Sequence, residues 1–415
     1  MKLLFVLESA NMITNGTSAT CLRFAEALRE RGHEVRLLGC EFEDGNNPEG
    51  YYALPKFTFP IFEPLIRKEG FTFCHGDLRI IYEAVAWADE VHTFLPFKLS
   101  NKARLMAIIL NKPVSTAFHL LPQNITSALH LGKIPLLDIP FYYGYKKYFY
   151  NYIKNIHCPS LMTKRQLEKR HYDKNELFVI SNGVIPFFKP IEAKRPEEWG
   201  DRFVVVMSGR LASEKRQDLI IKAVAKSKYN EKIQVVLCGQ GPNKKRYYRL
   251  AKKRGLANPL IIQFCNQEQL RDIFSTADLY VHASDFEIEG ISAIEALACG
   301  IVPVISDSTL SATNTFSLDD HCLFRHGKSC SLRDQIEWFY EHPEERERLS
   351  KLYIEEGKKF ALSNMVDAME KMFIQTIEEH KAGLDLPSLK MRSKDKRKIR
   401  RIIKKLRKSG IEIAK

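Results

Sequence analysis

Residues 287–300 read Glu287-Ile-Glu-Gly290-Ile-Ser-Ala-Ile-Glu295-Ala-Leu-Ala-Cys-Gly300. Two carboxylates stand eight positions apart, Gly290 lies between them, and an Ala/Leu-rich helical pattern follows. Ahead of them, Ala277-Asp-Leu-Tyr-Val-His-Ala-Ser284 alternates like a strand. Strand, glycine turn and helix, in that order, leave backbone N–H groups without helical partners at a helix N-terminus, where anions bind. Glu287 then stands just before the turn and Glu295 on the helix, so both can face one ligand. The layout suits a charged, hydroxyl-rich ligand.

On either side of this stretch the chain alternates apolar strands with amphipathic helices. Strands are expected at 203–207, 233–237, 260–263, 279–282 and 302–305, with helices between them. The first half follows the same rhythm. Residues 2–7, 34–38, 90–93, 113–118 and 177–180 read as strands, and 21–31, 78–88 and 102–110 as helices. Such alternation implies parallel, doubly wound sheets. The expected architecture is α/β, with two Rossmann-like domains facing across a cleft. The N-terminal, acceptor-side domain spans 1–185. Residues 186–200, with three prolines and many charges, read as a linker. The C-terminal domain spans 201–360, a helix at 361–380 crosses back to the first domain, and 381–415 is a basic amphipathic tail.

Composition narrows the class. At 415 residues with 45% hydrophobic content, two or three domains with full-sized cores are expected. No run of 18 apolar residues occurs, so no transmembrane helix is expected. The apolar start is too short for a signal peptide and reads as a buried strand. Nine cysteines without a C-x-x-C pair point to a reducing cytoplasm. The net charge is +14, but residues 390–408 hold twelve Lys/Arg and one acid, Asp395. That segment carries +11, so the rest of the chain carries only +3.

Several groups could carry chemistry. Ser208-Gly209-Arg210 follows an expected strand, and Lys215 opens a helix. Arg210 offers a bidentate fork and Lys215 a compact point charge, together a good anion site. Two ordinary surface cations are the plainer reading, but the 287–300 stretch on the same sheet edge tips the balance. Gly239-Gln-Gly241-Pro242 has Lys244 where a dinucleotide fingerprint needs glycine, so nicotinamide cofactor binding is not supported. In the first half, Thr14-Asn15-Gly16 precedes a helix and can admit a diphosphate or sugar close to backbone N–H groups. A plain helix cap by Thr17 or Ser18 is the alternative. His119 directly follows a strand, where doubly wound folds face their ligand, and can hydrogen-bond a hydroxyl or phosphate or move a proton. His92 also ends a strand and ranks lower. No His/Cys spacing suggests a metal and no D-x-D occurs. Arg210, Lys215 and helix ends are therefore expected to neutralise a leaving diphosphate without a metal.

Two segments speak to surfaces. Residues 141–154, Phe-Tyr-Tyr-Gly-Tyr-Lys-Lys-Tyr-Phe-Tyr-Asn-Tyr-Ile-Lys, read either as a buried helix with tyrosine edges or as an acceptor or membrane-facing surface. In the tail, Ile399, Ile402, Ile403 and Leu406 share one helical face and cations fill the others. A basic amphipathic helix can lie on an anionic membrane. RNA binding competes, but no aromatic is interleaved for base stacking. A solvated tail is the plainest alternative.

Taken together, the chain resembles the family 4 retaining glycosyltransferases with the GT-B fold over roughly residues 1–380. The resemblance rests on Glu287 and Glu295 flanking Gly290, Ala296-Leu-Ala-Cys-Gly300 with Pro303-Val304, Gly209-Arg210 with Glu214-Lys215, Ser181-Asn182-Gly183-Val184, and Arg31-Gly32-His33-Glu34-Val35. It implies a nucleotide-diphosphate sugar donor as substrate, with no cofactor. Arg210 and Lys215 would bind the diphosphate, Glu295 the ribose and Glu287 the sugar, with Glu287 and His119 as the catalytic pair. The backbone of Gly290, Ile291 and Ser292 would meet sugar hydroxyls or phosphates, Cys265 and Asn266 the base, and Gly16 would reach the donor from the first domain. Two positions depart from the family pattern: Asn15-Gly16 replaces paired glycines, and Glu289 replaces an aromatic before Gly290. The expected acceptor is a membrane lipid, diacylglycerol or ceramide in type, at the inner face of the cell membrane. The anionic membrane surface is met through residues 390–408, and no nucleic acid is expected. Capsule or cell-surface polysaccharide assembly is the alternative. A nucleic-acid-binding protein with an inactive GT-B body, and an isomerase acting on the donor alone, are lower ones.

Overall fold

The computed structural model describes residues 1–12, 16–43, 45–59, 63, 71–124, 137–385 and 393–413. They form two compact units. Unit 1 comprises residues 1–180 and 366–415, and unit 2 comprises residues 181–365.

Unit 1 begins β1 (Lys2–Val6), α1 (Gly16–Glu30), β2 (Glu34–Cys40), β3 (Tyr51–Leu54), β4 (Lys56–Phe57), β5 (Phe73–Cys74) and α2 (Leu78–Trp87). It continues β6 (Glu90–Thr93), α3 (Lys98–Ile109), β7 (Val114–Ala117), α4 (Ile139–Tyr148), β8 (Asn155–Cys158), α5 (Leu161–Glu168) and β9 (Glu176–Val179). Its main sheet runs β3-β2-β1-β6-β7-β8-β9, parallel throughout. The strands β1, β6 and β8 are almost wholly buried, as strands covered on both faces must be. Strand order reverses between β1 and β6, and ligands bind outside the carboxyl ends of strands at such a switch point.

Unit 2 repeats the plan with β10 (Phe203–Ser208), α6 (Gln217–Val224), β11 (Ile233–Cys238), α7 (Lys244–Arg254), β12 (Ile261–Gln263), α8 (Gln267–Thr276) and β13 (Leu279–His282). Then come α9 (Ile291–Ala298), β14 (Pro303–Ser306), β15 (Leu323–Phe324), α10 (Ser329–Glu341) and α11 (Pro343–Lys358). The parallel sheet runs β12-β11-β10-β13-β14-β15, with its switch point between β10 and β13. The last helices are α12 (Leu362–Lys381), which is part of unit 1 from Val366 onward, and α13 (Ser393–Lys408).

Three expectations change. The 186–200 stretch is not a free linker, because Phe188 and Trp199 are buried in the unit 2 core. Helix α1 starts at Gly16, earlier than its apolar periodicity suggested. The tail helix α13 does not offer its apolar face to lipid. Ile402 and Leu406 are buried against α2 and α3, and Ile399, Ile411 and Ile413 pack on the same cluster. The single acid of the basic segment anchors it: Asp395 is fully buried and lies 3.9 Å from the buried guanidinium of Arg104 on α3. Arg104 also stacks over Tyr152 at 4.9 Å. Residues 386–392 of the tail lie outside the described residues, as do Thr14 and Asn15. No helix among the described residues is long and apolar enough to cross a membrane.

Candidate active site

The switch point of unit 2 gathers the two motifs that the chain separates by some 70 residues. One loop leaves β10 and carries Gly209, Arg210 and Lys215. The other leaves β13 and carries Ser284, Glu287 and Gly290. Their backbones are joined where Asp285 N–H donates to Glu214 O at 2.8 Å. Side chains join them again, because Arg216 donates to Asp285 at 2.8 Å and pairs with Asp218 at 3.3 Å. Arg216 holds a left-handed conformation, φ 55°, which costs a non-glycine residue about 1 kcal/mol. Its two carboxylate partners fix it there.

Glu287 is the hub. Its Oε1 accepts from Lys215 Nζ, from Ser284 Oγ at 2.9 Å and from His282 Nε2 at 3.2 Å. Burial alone would raise its pKa, but Lys215 and His282 overcome burial and hold the carboxyl well below the usual range. Glu287 is therefore an anion at any physiological pH. The backbone of Glu287 is pinned to the 308–313 segment by hydrogen bonds from its N–H to Leu310 O and from Ala312 N–H to its carbonyl.

Gly290 caps α9 with φ 92° and ψ 60°. A Cβ there would sit 2.3 Å from Thr313 Cγ2, so both conformation and space demand glycine. The first helical bond of α9 is made by Ala293 to Gly290 O, which leaves the N–H groups of Ile291 and Ser292 at the helix N-terminus. Glu295 is nearly buried on the same helix. This helix end is flanked by a lysine, an arginine and two carboxylates. The arrangement can hold a diphosphate by its charge and hydroxyls by the carboxylates.

Other expected residues fall as follows. Arg210 pairs with Glu214 at 2.7 Å and is 38% exposed, so its fork is accessible. Asn266 caps α8 with a reciprocal capping box, which commits its side chain to the helix. Cys265 is half-buried and Phe264 beside it is exposed. Gly239 and Gly241 serve loop packing: a Cβ would lie 2.1 Å from Gly209 O and 2.6 Å from Leu211 O. Glu289, the departure before Gly290, accepts the Asn182 N–H on both oxygens at 3.2 and 3.0 Å. It thereby ties the loop after β13 to the 181–184 motif.

Gly16 and His119 belong to unit 1. Gly16 opens α1 and is exposed. His119 follows β7 and is nearly buried, stacked on Phe94 at 5.6 Å and edge-on to His157 at 5.2 Å. Burial, with His157 and His92 nearby, drives its pKa well down, so the ring is neutral. Its Nε2 has no partner among the described residues. His92 is a core residue, bonded through Nδ1 to Ser115 at 2.7 Å and fully buried. No three His, Cys, Asp or Glu among the described residues group as metal ligands, and all nine cysteines are free.

Sequence reasoning missed Tyr280, His282, Ser284, Arg216 and Glu8. Tyr280 and His282 are two apart on β13 and so share a face, a signal that period-2 reading could have used. Glu8, just past β1, accepts from the Leu99 N–H at 2.7 Å, and burial pushes its carboxyl up to about 7. Nothing in the one-dimensional pattern marked it.

Comparison with known proteins agrees with this fold. The model described as Glycosyltransferase Family 4 matches residues 14–186, and that of Glycosyl transferases group 1 matches residues 189–355. A GDP-mannose-dependent alpha-mannosyltransferase of Corynebacterium glutamicum is 23% identical over 80% of this chain and 83% of its own. An alpha-monoglucosyldiacylglycerol synthase of Acholeplasma laidlawii is 26% identical over 37% of this chain, which spans 42% of that relative. The solved structure of Anabaena Alr3699/HepE in complex with UDP and glucose superimposes with a TM-score of 0.69, at 15% identity, over 90% of this chain and all of its own. With the two models covering both halves in succession, and with parallel sheets in two Rossmann-like units, the chain belongs to the family 4 glycosyltransferases of the GT-B fold.

Proposed function

We propose that this chain is a retaining hexosyltransferase. It moves glucose or galactose from a UDP-sugar to a lipid hydroxyl, diacylglycerol or ceramide in type, at the cytoplasmic face of a membrane and without a metal. The observation that carries the reading is the Lys215–Glu287 pair set at the N-terminus of α9. In the proposed reaction the bond from sugar C1 to the diphosphate oxygen breaks, and its electron pair leaves on the diphosphate. Lys215, Arg210 and the α9 N–H groups balance that charge. The acceptor oxygen bonds to C1 on the same face, and its proton passes to the departing phosphate. Glu287 holds the sugar, Glu295 the ribose and the 265–266 segment the base; in unit 1, neutral His119 can accept or donate one hydrogen bond. Gly16 offers backbone N–H at the start of α1.

Two surfaces of unit 1 support a lipid acceptor. On α4, Tyr142 is buried under Arg170 at 3.9 Å, whereas Tyr143 and Tyr148 are exposed with Lys147 over both rings at 5.5 Å. Exposed aromatic–cation clusters suit a membrane interface. With the apolar face of α13 docked inward, Arg400, Lys404, Arg407 and Lys408 surround Ile403 on its outer side. Membrane attraction is then electrostatic, at about 1 kcal/mol per cation. The names of the Acholeplasma relative and the Anabaena complex favour a glucosyl lipid and UDP, while that of the Corynebacterium relative favours GDP-mannose.

The test is turnover of UDP-glucose, UDP-galactose and GDP-mannose with phosphatidylglycerol vesicles containing diacylglycerol or ceramide, with and without EDTA. The expected result is UDP release with labelled hexose in the lipid, resistant to EDTA and with retained anomeric configuration. Label reaching only saccharide acceptors would replace this reading with polysaccharide assembly. Activity only with added divalent metal would overturn the metal-free part.

A further inference from the structure

The donor contacts above leave a chain of buried polar groups beneath Glu287 without a role. Strand β13 places Tyr280 and His282 on one side, and neither has measurable exposure. The Tyr280 hydroxyl lies 3.0 Å from His282 Nδ1, and His282 Nε2 lies 3.2 Å from Glu287 Oε1. Ser292 Oγ stands 3.2 Å from the same hydroxyl and 3.4 Å from Ser208 O. The ionised Glu287 carboxylate can only accept, so the imidazole carries a proton on Nε2, facing Glu287, and Nδ1 meets the Tyr280 hydroxyl. The ring lies under the donor loop: a Cβ on Gly290 would sit 3.7 Å from both Cε1 and Nε2.

Three donors converge on Glu287 Oε1, and they differ in kind. Lys215 has a long flexible stem and is the group that an arriving diphosphate would draw away. Ser284 and His282 sit on short stems at the end of β13 and cannot follow. From this we infer that His282 is a positioning residue: backed by Tyr280, its Nε2–H keeps Glu287 aimed at the donor sugar when Lys215 turns to the diphosphate. The inference rests on the sugar-donor reading of the site. It assigns to His282 and Tyr280 a part in holding the sugar rather than the nucleotide.

The experiment compares wild type with His282→Leu, His282→Gln and Tyr280→Phe, using whichever sugar nucleotide the wild type turns over. Measured are kcat, KM, affinity for free nucleoside diphosphate by calorimetry, and Tm. Loss of a hydrogen bond to a carboxylate predicts that His282→Leu lowers kcat about 10- to 100-fold. KM and diphosphate affinity should stay within about 3-fold, less than one such bond is worth. Gln can still place an N–H on Oε1 and should restore most of kcat. Tyr280→Phe should fall between the two. Wild-type kcat in His282→Leu overturns the inference. So does a joint fall of kcat, diphosphate affinity and Tm that Gln does not relieve, since that marks a merely structural histidine. Should His282→Leu fail to fold, the Tyr280→Phe and His282→Gln kinetics decide alone. A wild type that binds UDP but turns over no sugar nucleotide removes the transferase reading and this inference together. A turning-over wild type with an unaffected His282→Leu removes only the inference.

Discussion

His282 and His119 each lie at the carboxyl end of a buried parallel strand, one in each unit, and their surroundings are opposite in kind. His282 has both ring nitrogens engaged, by Tyr280 and Glu287, in a network that ends on a lysine. His119 is gripped by rings, Phe94 and His157, and its Nε2 has no partner among the described residues. Unit 2 has oriented its polar groups in advance by charge and hydrogen bonds. Unit 1 has packed a neutral ring sterically and left its Nε2 without a partner among the described residues.

The largest effect that would break this contrast lies in unit 2. Lys215→Ala removes the cation that pairs with Glu287 and that the proposed reaction sets against the diphosphate. Its cost should be ~2–4 kcal/mol in barrier, about 30- to 1000-fold in kcat. A kcat within 3-fold of wild type would mean that the network is structural only.

Acid titration should separate the units next. In unit 1, burial lowers the pKa of His92, His119 and His157, the last to about 4. A histidine depressed in the folded state loses stability as pH falls from its unfolded value near 6.5 toward its folded one. For His157 alone this amounts to about 3 kcal/mol between pH 6.5 and 4. The unit 2 anion Glu287 is depressed too, but as a carboxylate, so its contribution is lost only below the ordinary carboxyl value of 4.5. Calorimetry from pH 7 to 4.5 should therefore show the unit 1 transition falling first. Both transitions moving together would refute the contrast. Over the same window Glu90 and Glu8 act the other way: burial raises both, Glu8 to about 7, so as pH falls from 7 toward 4.5 they return stability to unit 1 and offset part of the histidine loss, and Glu8→Gln should steepen the fall.

Asp395→Ala tests whether the basic helix belongs to unit 1. It strands the buried Arg104 and should cost on the order of 3 kcal/mol, lowering only the unit 1 transition. An unchanged melt with α13 proteolysed at once would show the helix to be undocked. The smallest effect is expected at the outer face of α13. Lys404→Glu with Arg407→Glu should weaken binding to phosphatidylglycerol vesicles by about 1 kcal/mol per cation removed, in a salt-dependent way, with Tm unchanged. Vesicle binding equal to wild type would remove the electrostatic membrane role.

Much of this was legible in one dimension. The strand-glycine-helix order around Gly290, and the Arg210/Lys215 cluster after another apolar strand, are local patterns set by backbone sterics and amide chemistry, which any reader of the chain can see. So is the parallel alternation, because doubly covered strands must be apolar throughout. The strands β3, β4, β5 and β15 went unread: three of them are two residues long, too short for periodicity to register, and β3 (Tyr51–Leu54) is short and only half-buried.

The sequence by itself determined the fold class and the two-unit plan and marked the motifs around Arg210, Lys215 and Gly290, all of which follow from local periodicity and from patterns of a few residues. Only tertiary structure decided what those residues touch. It turned the apolar face of α13 onto α2 and α3, made the lone acid Asp395 an anchor, and drew Trp199 into a core. It also set His282 beneath Glu287. The physical reason is common to all four. Whether an apolar face meets lipid or protein, and whether a charge meets water or a partner, depends on which distant segment arrives beside it.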